Sequence, residues 1–107
     1  MTVHTDAEIA RLAIACLDLT ELSAGCDEGD VERLCARAAT PHGDVAAVCV
    51  WPRFAAHARE MLGASRIRVA AVANFPAGGE RASPAVADIE AAEAADEIDV
   101  VMPYRAF

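Results

Sequence analysis

Two periods of hydrophobicity alternate along this chain. After a short amphipathic start, "AIACLDLTEL" (13–22) carries a first apolar run, read as a strand near Cys16 to Thr20. In "DVERLCARAAT", Val31, Leu34, Cys35 and Ala38 then recur at i, i+3, i+4 and i+7. That spacing draws one face of an α-helix, with Asp27 or Asp30 available as its cap and "TPHGD" as the turn that ends it. "VAAVCV" (45–50) is a continuous apolar run of strand length, the pattern of a strand covered on both faces. "PRFAAHAREMLG" predicts a second helix: Pro52 suits its first position, Phe54, Ala58, Met61 and Leu62 share a face, and Gly63 stops it. "RIRVAAVANF" reads as a third strand, "SPAVADIEAAEAA" as a third helix with Ser83 as cap and Pro84 at its first position, and "EIDVVM" as a fourth strand.

The predicted order is βαβαβαβ with short connections. Such strands pair in parallel through right-handed crossovers. Two architectures satisfy that order, an open doubly wound sheet or half of a closed (β/α)₈ barrel, and periodicity does not choose between them.

Strand parity brings in the first candidate chemistry. Leu17 and Leu19 flank Asp18, Val48 and Val50 flank Cys49, and Ile98 and Val100 flank Asp99. If the bulky neighbours pack against helices, Asp18, Cys49 and Asp99 all point the other way. Carboxylates aimed at a shared interior are costly unless paired, which makes them functional candidates. The competing reading sets each aspartate at a strand end, capping amides in water, and makes Cys49 an inert small hydrophobe. "NFPAGGE" (74–80) leads from the third strand towards a helix, but it has neither a Walker-type lysine nor a G-x-G-x-x-G pattern. Trp51 and Phe54 read as packing residues.

Composition narrows the picture. At 107 residues and 55% hydrophobic, the chain is at most one domain with enough apolar surface for a core. A net charge of −8 disfavours nucleic acid as a partner. No apolar run is long enough for a membrane span. The first residues lack the basic start and apolar middle of a secretory signal, which points to the cytoplasm. Cys16, Cys26, Cys35 and Cys49 have no C-x-x-C spacing and no nearby histidine pair, so free thiols are expected and zinc is not. All nine basic residues are arginines, so no lysine is available for amine chemistry.

The stretches "LDLTEL", "LCARAATPHGDVAAVCVWPRF", "IRVAAVANFPAG" and "ADEIDVVMPYRAF" together resemble the N-terminal part of deoxyribose-phosphate aldolase, a class I aldolase on a TIM barrel. The resemblance spans most of the chain and implies a single partial domain over residues 1–107, the N-terminal half of the barrel with about four β/α units. It implies reversible cleavage of 2-deoxy-D-ribose 5-phosphate to D-glyceraldehyde 3-phosphate and acetaldehyde through a lysine Schiff base, with no metal or other cofactor. Asp99 matches the proton-relay acid/base, and Asp18 an aspartate that holds and tunes the lysine pair. Cys49 and Phe75 match pocket residues near the aldehyde, with Thr20 and Asn74 as their neighbours. The family's lysines and phosphate site lie on later strands, so the 107-residue chain is expected to be inactive alone. The other expectation is a non-catalytic half-barrel that forms a homodimer or complements a partner half through its open edges.

Overall fold

A computed structural model describes residues 3–107. Helix α1 (Asp6–Ala15) is capped by Thr5, whose hydroxyl accepts the Glu8 amide. Strand β1 (Asp18–Glu21) follows, then α2 (Glu28–Ala38). Of the two candidate caps for α2, Asp27 is the one used. Its carboxylate accepts the Asp30 amide while Asp30 accepts the Asp27 amide in return, a reciprocal box that satisfies two otherwise orphan donors. A small antiparallel pair, β2 (Ala39–Thr40) and β3 (Gly43–Asp44), occupies the expected turn. Gly43 there has φ 119°, a conformation that favours glycine.

Strand β4 (Ala47–Val50), a 3₁₀ turn (Pro52–Phe54), α3 (Ala55–Leu62), β5 (Arg68–Ala73), α4 (Ala82–Ala91) and β6 (Glu97–Val100) complete the order, and a 3₁₀ turn (Tyr104–Ala106) follows. Helix α4 starts one residue before the expected cap. Arg81 holds that position without a side-chain bond, and Ser83 lies inside the helix. Pro84 still falls in the first turn, where its missing N–H costs nothing. Strand β6 ends at Val100, two residues short of the apolar run.

The main sheet has the order β1-β4-β5-β6, and every pair in it is parallel. Each new strand is added on the same side as the last, with no reversal of direction. The two faces of the sheet differ just as consistently. Val48, Val50, Val69 and Ala71 join Val31, Leu34, Cys35 and Ala38 of α2, Ala55 and Ala58 of α3, and Ala92 in one buried cluster. Ala47, Cys49, Ala70 and Val72, of the opposite parity, form a second cluster that contains no helical residue. Helices on one face and continuous winding are the signs of a barrel, not of a doubly wound sheet, which has helices on both faces and a point of reversal. The chain folds as about half of a (β/α)₈ barrel. Its radius of gyration of 15.6 Å exceeds the roughly 13 Å of a closed globule of this length.

Arg59 ties the strand N-terminal ends together. Its guanidinium donates to the carbonyls of Ile67, Gly63 and Ser65 and to Asp96, whose same oxygen also accepts the Val69 amide. One side chain thereby fixes the end of α3, the entry to β5 and the entry to β6. Replacing it by methionine keeps the aliphatic stem but orphans these acceptors. Because the pair is partly solvated, Arg59→Met is expected to lower stability by about 1–2 kcal/mol in urea unfolding.

Candidate active site

Register fixes what shares the open face. Thr20 lies opposite Cys49, Cys49 opposite Ala70, Ala70 opposite Glu97 and Val72 opposite Asp99. Residues two apart on a strand face the same way, so Asp18, Thr20, Cys49 and Asp99 belong to one side of the sheet. Between them stand Ala47, Ala70 and Val72, small side chains that leave the polar groups room to converge.

The closest approach spans 50 residues of sequence: the Cys49 thiol donates to Asp99 Oδ2 at 3.8 Å. Cys49 is 4% exposed. Burial, then the charges of Asp99 and Asp18 and the bond to Asp99, push its thiol up to about 11, while Thr20 works weakly in the opposite direction. Asp18 and Asp99 themselves are exposed, because the face they occupy is open. Thr20 donates its hydroxyl to the Asp18 carbonyl at 3.0 Å, two residues back within β1. Strand parity thus sets Asp18, Thr20, Cys49 and Asp99 on one side of the sheet, with Cys49 in contact with Asp99 and Asp18 on the opposite edge strand.

The other two expected residues lie above them, where β5 runs out. Asn74 has φ 58°, in the left-handed region that asparagine tolerates better than most residues. Its side-chain amide donates to the carbonyls of Gly79 and Val101, and its backbone amide donates to Asp88 of α4. Asn74 therefore clamps the loop after β5 to the end of β6 and to α4, and its side chain is spent on backbone carbonyls. Its neighbour Phe75 meets Trp51 edge-on, with ring centroids 5.6 Å apart. The loop is further pinned at Gly78 (φ 61°), where a Cβ would stand 2.5 Å from the Tyr104 ring and 2.8 Å from the Met102 carbonyl.

Trp51 is the residue that sequence reasoning passed over as packing. It lies two positions beyond Cys49, packs against both the small-residue cluster and the helix-side core, and donates its indole N–H to the Ser23 carbonyl at 3.0 Å. The i, i+2 spacing from Cys49 was the available signal. Among the described residues no three His, Cys, Asp or Glu side chains converge as a metal site requires.

The thiol's position makes a direct prediction. Thiolate-dependent alkylation of Cys49 should be slow near neutrality and rise only towards pH 11. In Asp99→Asn the neighbouring charge is gone, so the thiolate is less disfavoured and the rise should move to lower pH, though burial keeps it above the ordinary thiol range. Peptide-resolved mass spectrometry of the pH-rate profile measures both.

No family model matches the sequence. The deoxyribose-phosphate aldolase of Agrobacterium fabrum is 46% identical over 110 residues, an alignment that takes in 100% of this chain and 42% of that protein. Among solved structures, a deoxyribose-phosphate aldolase from Coccidioides immitis superposes with a TM-score of 0.75 at 27% identity, covering 87% of this chain and 36% of the other. The tetrameric deoxyribose phosphate aldolase of Aeropyrum pernix shares the fold, with a TM-score of 0.72 at 22% identity over 90% of this chain and 41% of that one. The chain spans about two-fifths of the length of these relatives. In sequence and in fold it is similar to deoxyribose-phosphate aldolases over about two-fifths of their length.

Proposed function

We propose that this chain supplies the proton-transfer half of a deoxyribose-phosphate aldolase active site. The reaction is the reversible cleavage of 2-deoxy-D-ribose 5-phosphate to D-glyceraldehyde 3-phosphate and acetaldehyde, and the amine nucleophile comes from later strands of the barrel. The observation that supports this reading is the Cys49–Asp99 contact on the open face of a half-barrel, with Asp18 of matching parity on the same side. The 46% identity to an aldolase supports it.

A Schiff base forms when an amine adds to a carbonyl carbon and water then leaves, and both steps need a proton moved at the oxygen. Asp99 is assigned that role. It stands at the C-terminal end of a barrel strand, where such enzymes place their chemistry. Asp18, on the first strand, is assigned to hold the incoming ammonium and set its basicity. Cys49 and Phe75 line the aldehyde's position, Thr20 braces Asp18, and Asn74 holds the loop that carries Phe75. Residues 1–107 then form one partial domain, acting on a small sugar phosphate in the cytoplasm during deoxyribonucleoside breakdown.

Two experiments test the assignment. The 107 residues alone contain no lysine, so borohydride reduction in the presence of the sugar phosphate should leave no adduct in the intact mass; a stable adduct would refute the division of labour. When residues 1–107 replace the matching segment of the Agrobacterium fabrum aldolase, the chimera should retain cleavage. Asp99→Asn in that chimera should lower kcat/KM by about 10²–10⁴, the range of a lost general acid/base. An unchanged rate would remove Asp99 from the chemistry.

A further inference from the structure

The open face of the sheet has one region that is not open. Cys49 is 4% exposed and Val72 5%, although no helix covers them. Leu22 and Trp51 do the covering. Trp51 is held there from two directions, by its indole N–H on the Ser23 carbonyl beyond β1 and by the edge-on ring of Phe75 beyond β5. The guanidinium of Arg53 lies 5.8 Å from the Trp51 ring. A tryptophan donating its only polar hydrogen and braced on both sides is a fixed wall, with little rotamer freedom left to yield to a larger guest.

We infer that Trp51 sets the size of the aldehyde that reaches Cys49 and Asp99, limiting it to a short aliphatic chain. This rests on the aldolase reading for what the guest is; the existence of the wall does not. The ring stands two residues beyond Cys49, just past β4, and packs both against the cluster of Ala47, Cys49, Ala70 and Val72 and against the helix-side core. An aldehyde whose carbonyl lies beside Asp99 would run its alkyl tail against the indole. Pockets of this kind discriminate by about 10–200-fold for each methylene that fits or fails to fit.

The wall is tested on the 107-residue chain without any catalysis. Methyl and benzyl methanethiosulfonate carry the same reactive group and differ in bulk, so the ratio of their rates at Cys49 cancels changes in thiol acidity. Trp51→Ala should raise the benzyl-to-methyl ratio about tenfold or more, with Trp51→Phe in between. An unchanged ratio in a folded Trp51→Ala protein would overturn the wall. If Trp51→Ala unfolds, seen as labelling of the buried Cys26 and Cys35 at the rate of the exposed Cys16, then Phe75→Ala and Trp51→Phe carry the test. Both should raise the ratio, and no rise in either would overturn the proposal.

The guest is tested in the Agrobacterium fabrum chimera, where Trp51→Ala should shift preference from acetaldehyde towards butanal and longer alkanals by at least tenfold in kcat/KM. A rise in the labelling ratio without that shift would leave the wall standing and reject its role in aldehyde selection. A chimera inactive towards every aldehyde, with the ratio still raised, would instead count against the aldolase reading itself.

Discussion

Everything at the site depends on the register of β4 between β1 and β5. Thr20, Cys49 and Ala70 lie in one row, and Val48 lies opposite Leu19 and Val69 in the next. A slip of one residue would reverse every side chain of β4. Val48 and Val50, now fully buried against α2 and α3, would face the open side, and Cys49 would be pressed under the helices. Each valine returned to water costs about 1.5–3 kcal/mol, which is a large fraction of a small domain's stability. The bulky residues thus hold the register, and the register in turn brings Cys49 within reach of Asp99.

This division of labour explains which parts were legible in the sequence. Parity was legible because large and small side chains alternate sharply around Asp18, Cys49 and Asp99, so their common face could be read without coordinates. The choice of barrel over doubly wound sheet was legible only through the family motifs, since it depends on the side to which each strand is added, and no local period records that. The Asp27 cap and the two-residue pair after α2 were narrowed to a few residues but not resolved, because capping and turn chemistry tolerate several near-equivalent solutions. Asn74 and Trp51 each make contacts that no local pattern records. The Asn74 amide is taken up by the carbonyls of Gly79 and Val101. Trp51 packs as expected, against both clusters, and its indole N–H also reaches Ser23, 28 residues away in sequence.

The electrostatics of the face decide which chemistry it suits. A thiol raised to about 11 is protonated across the physiological range, so Cys49 is a poor nucleophile where it stands. The causes of that shift, burial and two neighbouring carboxylates, belong to an environment that disfavours a further negative charge and welcomes a positive one. Such a face is suited to receive an ammonium group or a proton, not to generate a thiolate. Cys49 stands there as a small neutral group whose S–H reaches Asp99.

By parity Glu97 joins Asp18 and Asp99 on this face, with Arg68 as the cation of matching parity, at 4.0 Å from Glu97. An amine introduced among these carboxylates would be held as ammonium, its pKa raised by their charges, and an ammonium cannot attack a carbonyl. Water exclusion on closing the barrel disfavours the charged amine, but it also strengthens the pull of the carboxylates. The acidic character of the face and the demand of amine chemistry for a neutral nucleophile thus pull in opposite directions.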